Sequence, residues 1–333
     1  MNEVAEYIKS PVLIVGNGKL AYSATVCLSQ AAHEVTLCTK NKQEAIKELG
    51  IHFADLTQQH IKAANPGTIQ VIDTMDSRLD YPLAIIITKE DLLEKKTIIC
   101  QLEEALPANA IIAINTESIP LSILQQDRRY ADRVIGVNWV EPAHTTFFLE
   151  IISNAITNKE LVENLFYLSK KYWNKDPYII PNDISIRAKI FAAMAREAFY
   201  LVQNGYASVE DIDRACRNDA GYYLPFAGNF RYMDLMGTYS YGLVMKDLNR
   251  ELSKDRCLPD FLKDIIAKGG TGMENGRGFY NYEKGDAEKW NERFRKFSYQ
   301  ISRIIDKYPF NYTEDHTDPK ANNISIHEQN INF

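Results

Sequence analysis

The sequence predicts an α/β chain, in which a Rossmann-type, doubly wound and mostly parallel sheet is followed by a mainly helical second domain. Three observations carry this expectation. Short apolar runs rich in β-branched residues alternate with helical stretches over the first half of the chain. The first of these runs ends in a glycine-containing turn that opens a helix, and beyond Pro181 strand signals give way to long helical periodicity.

Taken in order, PVLIV at residues 11–15 reads as a buried strand, being β-branched and too short for a helix. A helix over about 19–31 and a second strand at 34–38 complete a βαβ unit, for which a right-handed crossover is expected. Further strands are expected at 69–72, 83–88, 110–115 and 133–137. Between two of them Leu92, Lys96, Ile99, Leu102 and Leu106 recur at helical spacing, with Thr88 and Asp91 as a capping box. Residues 184–204 form a long helical pattern, and SVEDIDRAC opens another helix with Ser208 as cap and Asp211 three residues on. Near the end, Trp290, Phe294, Phe297, Ile301, Ile304 and Tyr308 make an amphipathic stripe, read as packing against the protein or a dimer partner rather than a membrane. The expected boundaries are a dinucleotide-binding domain at 1–182, a helical domain at 183–310 and a loose polar tail at 311–333.

Composition agrees with two globular domains. The 333 residues are 45% hydrophobic and 25% charged, and the formal net charge of −6 argues against a nucleic-acid partner. Five scattered cysteines without a CxxC pair suggest neither a disulfide framework nor a zinc site. With no apolar run of membrane length and no signal-like N-terminus, no membrane association and a cytoplasmic location are expected.

The sharpest motif is Gly16-x-Gly18-x-x-Ala21 between the first strand and helix. Gly16 allows the tight turn, Gly18 the approach of a pyrophosphate, and Ala21 close packing of helix on sheet. The competing reading is a tight turn with no cofactor. An NAD site places Asp or Glu at the end of the second strand, and here Thr39 and Lys40 stand instead, followed by Asn41 and Lys42. The cofactor is therefore NADP or NAD, with NADP favoured because Lys40 or Lys42 could pair with its 2′-phosphate; the bland alternative is two solvated loop lysines.

Later segments carry a family likeness. VIGVNWVEPAHTTFFLEII, NTESIPL, ASVEDIDRAC, GNFRYMDLMG and NGRGFYNY resemble successive signatures of the short, single-function 3-hydroxyacyl-CoA dehydrogenases, including the 3-hydroxybutyryl-CoA type, over roughly residues 11–282. The resemblance implies a cofactor cleft between two domains and a homodimer formed through the helical part. It places Glu150 on the family's catalytic glutamate, Ser118 on the serine that contacts the substrate oxygen, and Glu90 on an acidic residue near the cofactor. Asn138 stands where the catalytic histidine is expected, and Glu141 where an asparagine precedes the proline.

Asparagine donates a hydrogen bond but does not titrate near neutrality, so the family's proton transfer should be slowed unless another group serves. His144, six residues on, and Lys189, in the long helix, are the replacement candidates; the bland readings are an exposed loop histidine and a surface lysine. The interval QEAIKELGIHFADLTQQHIKAANPG is shorter than the family's basic helical arm, and the family's TPGF turn is altered to ND followed by ISIRAKIF. The leading reading is an NAD(P)-dependent oxidoreductase acting on a 3-hydroxyacyl or other small hydroxy/keto substrate, acyl-CoA included. The alternative is a non-catalytic dinucleotide-binding or scaffold homologue.

Overall fold

The computed structural model describes residues 10–61, 63 and 65–310. The expected tail at 311–333 and nearly all of the N-terminal segment read for a signal lie outside these residues. Eight strands form one sheet: β1 (Val12–Gly16), β2 (Val35–Cys38), β3 (Ile69–Ile72), β4 (Leu83–Ile87), β5 (Ile111–Ile114), β6 (Val134–Asn138), β7 (Phe148–Ile152) and β8 (Asp176–Ile180). Their spatial order is β3-β2-β1-β4-β5-β6-β7-β8, parallel throughout except where β6 meets β7. The winding reverses between β1 and β4, which opens a crevice at the carboxyl ends of those strands. Covered on both faces, β1, β4 and β5 read VLIVG, LAIII and IIAI, and all their residues are buried.

The helices are α1 (Lys19–Gln30), α2 (Lys42–Gln58), α3 (Leu92–Ala105), α4 (Leu121–Gln125), α5 (Lys159–Tyr172), α6 (Ile186–Gln203), α7 (Val209–Ala215), α8 (Gly221–Met236), α9 (Thr238–Leu248), α10 (Asp260–Ala267) and α11 (Asp286–Lys307). Contacts divide the described chain into two compact units, residues 10–200 with 284–298, and residues 201–283 with 299–310. The first unit holds the sheet and the core, in which Leu13, Ile86, Ile99, Ile112 and Leu124 are fully enclosed. The second unit is helical, and only Ala227, Ser253 and Tyr299 of its described residues are buried.

Several local expectations shift for identifiable reasons. The α3 N-cap is Asp91, whose carboxylate accepts from the Glu94 N–H at 2.8 Å, and Thr88 takes no part in it. The inward-facing lysine of α3 is Lys95, fully buried, and not Lys96. β6 starts one residue late because Arg133 is buried, donating to the Pro107 and Ala110 carbonyls at 2.5 and 3.2 Å. Ser208 caps α7 in a full capping box with Asp211, as expected. β7, α5 and β8 extend the sheet beyond the strands read from the sequence. Trp290, Phe294 and Phe297 in the first unit, and Ile304 and Tyr308 in the second, are exposed rather than packed within the chain. Among the described residues no helix is long and apolar enough to cross a membrane, and no cysteines pair.

Candidate active site

At the crevice, β1 ends at Gly16 and α1 begins with Gly18 as its N-cap. A Cβ on Gly16 would stand 2.2 Å from the Ile87 carbonyl oxygen and 3.1 Å from the Ala21 Cβ, so the strand-to-helix turn closes only with glycine beside a small residue. Gly18 has φ +88°, and nothing lies within 4 Å of where its Cβ would be. No side chain caps α1 and its first turn carries no acid. An open, uncapped helix N-terminus above a glycine turn fits the pyrophosphate of a dinucleotide, whose nicotinamide supplies or accepts hydride when bound.

The turn is tied to β2 by Asn17. Its Oδ1 accepts from the Thr39 hydroxyl and from the Lys40 N–H, both at 2.8 Å. A cavity of about 850 Å³, within the range of ligand pockets, runs from Gly16 and Asn17 past Thr39 and Lys40 to Asp73 and the outer face of α3. Of the residues read as NADP markers, Thr39 is buried on Asn17, the Lys40 ammonium lies 3.0 Å from Glu94, and Lys42 is exposed at the start of α2.

Glu90, carried over as a cofactor residue, organises the loop after β5. Its Oε1 accepts from the N–H groups of Glu117, Ser118 and Ile119 at 3.0, 2.8 and 2.9 Å, and from the Ser118 hydroxyl at 3.3 Å. Its other oxygen lies 3.4 Å from the Lys95 ammonium, which also donates to the Asn115 carbonyl at 2.5 Å and the Thr88 carbonyl at 3.4 Å. Partial burial alone would raise the Glu90 carboxyl, but the Ile119 and Ser118 amides, the Lys95 charge and the Glu117 amide together hold it below the ordinary value. Lys95, missed by sequence reasoning, therefore clamps the ends of β4 and β5. Its signal was a lysine at the same helical spacing as Ile99, Leu102 and Leu106. Ser118 is left exposed on the loop.

Asn138 ends β6 opposite Glu150 of β7, and both are fully buried. The Asn138 Oδ1 accepts from the Thr116 N–H at 2.7 Å, and its Nδ2 donates to Glu150 Oε2 at 2.9 Å. The second Glu150 oxygen accepts from the Ile186 and Arg187 N–H groups at 2.9 and 3.2 Å and from the Tyr178 hydroxyl at 3.1 Å. A carboxylate at the N-terminus of α6 is held by its exposed amides. The result is a continuous chain of bonds from the 116–119 loop through Asn138 and Glu150 to α6. Arg187 closes it on the outside, 2.7 Å from Glu117.

Neither replacement candidate enters this network. Lys189 is exposed, and its side chain has no hydrogen-bond or ion-pair partner among the described residues. His144 is not an exposed loop residue. Its ring stands edge-on to His52 of α2, centroids 4.7 Å apart, and burial followed by the nearby charges pushes it down to about 3, so it stays neutral around pH 7. Glu141, whose carboxyl lies 2.5 Å from the Ser23 hydroxyl, is pushed up by burial. Only α2 occupies the interval where the basic arm was sought, among the described residues.

Comparison with known proteins identifies the family and the fold. Residues 11–184 match 3-hydroxyacyl-CoA dehydrogenase, NAD binding domain, and residues 186–282 match 3-hydroxyacyl-CoA dehydrogenase, C-terminal domain. The chain is 25% identical over 285 residues to a 3-hydroxybutyryl-CoA dehydrogenase of Clostridioides difficile, covering 81% of this chain and 99% of that one. It is 24% identical over 297 residues to a 5-formyl-3-hydroxy-2-methylpyridine 4-carboxylate 5-dehydrogenase of Mesorhizobium japonicum, covering 88% of this chain and 95% of that one. Against a peroxisomal fatty acid beta-oxidation multifunctional protein of Oryza sativa subsp. japonica it is 27% identical, over 82% of this chain but only 38% of the relative's length. A crystal structure of a 5-formyl-3-hydroxy-2-methylpyridine 4-carboxylic acid 5-dehydrogenase superposes with a TM-score of 0.83 at 21% identity, covering 90% of this chain and 99% of the other, and shares the fold. With both domain profiles matched in order over most of its length, the chain belongs to the 3-hydroxyacyl-CoA dehydrogenase family.

Proposed function

We propose that the protein is a nicotinamide-dinucleotide oxidoreductase that moves hydride to or from the hydroxyl or keto carbon of a small substrate, and that it works as a cytoplasmic homodimer. The observation that carries this reading is the juxtaposition, in one unit, of the Gly16–Gly18 turn with the Glu90-pinned loop that joins Asn138 and Glu150. The exposed Ser118 hydroxyl is the group on this loop best placed to meet the reacting oxygen. Asn138, buried behind it, fixes the loop through Thr116 and is itself fixed by Glu150. Glu150 acts as the support of Asn138, its oxygens taken by Asn138, Tyr178 and the α6 amides. Asn138 cannot replace a histidine as proton carrier, so turnover is slow unless another group or water carries the proton.

The substrate lies among 3-hydroxyacyl or 3-ketoacyl compounds and related hydroxy or carbonyl acids. A single α2 in place of a basic arm supports a substrate free of coenzyme A. A dimer is supported by the second unit, where Tyr222, Phe230 and Tyr239 are 84%, 80% and 78% exposed on α8 and α9. The test is cofactor oxidation at 340 nm with acetoacetyl-CoA, a longer 3-ketoacyl-CoA and matching CoA-free keto acids and aldehydes, each with NADH and NADPH. Measurable turnover with at least one pair is expected. Bound cofactor with no turnover on the whole panel contradicts the catalytic reading.

A further inference from the structure

The end of β2 lacks the carboxylate that an NAD ribose ordinarily meets, yet the structure puts one beside it. β2 and β3 run parallel with Cys38 level with Ile72, and the Thr39 N–H donates to the Ile72 carbonyl at 2.9 Å. The residue after Ile72 is Asp73, which thus emerges next to Thr39 at the carboxyl edge of the sheet. It is exposed and lines the same cavity as Gly16, Asn17, Thr39 and Lys40. Its charge reaches the Cys38 thiol, which burial first and Asp73 second push up.

We propose that Asp73, one strand away from the usual position, is the ribose acceptor of this site and makes it select NAD over NADP. The inference rests on the dinucleotide reading above and deepens it. Thr39 brings no charge, and its hydroxyl already donates a hydrogen bond to Asn17. Lys40, at the same edge, lies 3.0 Å from Glu94, whose carboxylate opposes its attraction for a 2′-phosphate. Asp73, Asp76 and Glu94 line the cavity against Lys40 and Lys89, and a phosphate carrying nearly two negative charges would enter a region that is already acidic. A neutral ribose instead offers hydroxyl donors to the Asp73 carboxylate, a charge-assisted hydrogen bond. This reverses the preference for NADP read from Thr39 and Lys40 alone.

The test uses the full chain and reads binding, not activity. Dissociation constants for NADH and NADPH are measured by nicotinamide fluorescence, and those for ADP-ribose and its 2′-phosphate by calorimetry, in the native protein, Asp73→Asn and Glu94→Gln. The native protein is expected to favour the unphosphorylated ligand of each pair by at least tenfold. Asp73→Asn, isosteric and exposed, should cut that ratio by about tenfold, and Glu94→Gln, by releasing Lys40, should tighten the phosphorylated ligands. A native preference for the phosphorylated ligands overturns the proposal, as does a ratio that Asp73→Asn leaves within twofold of native. If the native protein binds none of the four, the dinucleotide reading itself falls, and the proposal with it.

Discussion

The two compact units are built on opposite terms. In the first, every residue of β1, β4 and β5 is buried, and even the charged Lys95 and Glu150 are enclosed by partners. In the second, α7, α9 and α10 bury no residue at all, and α8 buries only Ala227. The first unit therefore carries its own interior, and its functional groups sit at the edge of something rigid. The second has the helices of a domain but few buried residues, which is the ground for proposing a second copy against it.

Core truncation should separate the units most strongly. Ile85→Ala and Ile112→Ala remove fully buried methyl groups and are expected to cost about 2–5 kcal/mol each in denaturant unfolding. Phe230→Ala in the second unit should cost less than about 0.5 kcal/mol under conditions where the chain is monomeric. Comparable losses at Ile85 and Phe230 would break the contrast.

A second effect, of comparable size, lies in the buried histidine pair of the first unit. His52 is pushed down to about 4, by burial first and then by Arg295, with Asp55 opposing; His144 is pushed to about 3 by burial, His52, Lys175 and Arg295. Both folded values lie below the ordinary 6.5, so the unfolded chain takes up protons that the folded one refuses. Stability is unaffected by the pair above pH 6.5 and falls as pH drops toward 4, by up to about 1.4 kcal/mol per histidine for each pH unit. Urea midpoints from pH 7.5 to 4.5 should show this decline, and His52→Leu should make it shallower. A flat profile would mean that the pair is solvated in the folded protein.

The smallest free-energy effect has the plainest readout. Phe230→Glu or Tyr239→Glu should leave the far-ultraviolet spectrum intact while light scattering falls from twice the chain mass to the 38.1 kDa of one chain. A native protein that is monomeric at tens of micromolar would contradict the dimer.

What could be read in advance follows the same division. β1, α1, β2, β4 and β5 were legible because a strand buried on both faces must be a short apolar run, and the glycine turn has its own signature. β7 was harder to read: FLEII carries Glu150, an acidic residue that interrupts the run, and its place there is explained by partners distant in sequence, Asn138, Tyr178 and the α6 amides. In β8, Tyr178 is half-buried and Ile179 exposed, so the apolar signal is weak. Among site residues, Gly16, Gly18 and Ala21 follow from local sequence. Asn17, Lys95 and Tyr178 act through partners on other elements, and the role proposed for Asp73 depends on the register of β2 and β3, neither of which spacing along the chain discloses. That His144 is buried, and neither a replacement base nor an exposed loop residue, follows from His52, the ring beside it, which lies far away in sequence.

The central proposal is that this member of the family keeps the frame of the active site but holds Asn138 where the resemblance places a proton-carrying histidine. It is tested most directly by the initial rate across pH 5.5–8.5 for native protein and Asn138→His, at saturating NADH and separately NADPH, with the best substrate of the panel. Glu150 accepts from Asn138 at 2.9 Å and would orient an imidazole placed there, although the Thr116 N–H would have to find a new acceptor. General acid/base catalysis is worth about 10²- to 10⁴-fold. The account therefore expects a slow native enzyme without a histidine-like titration, and at least a tenfold faster Asn138→His enzyme with one. A fast native enzyme whose rate collapses on Lys189→Ala or His144→Ala would contradict it.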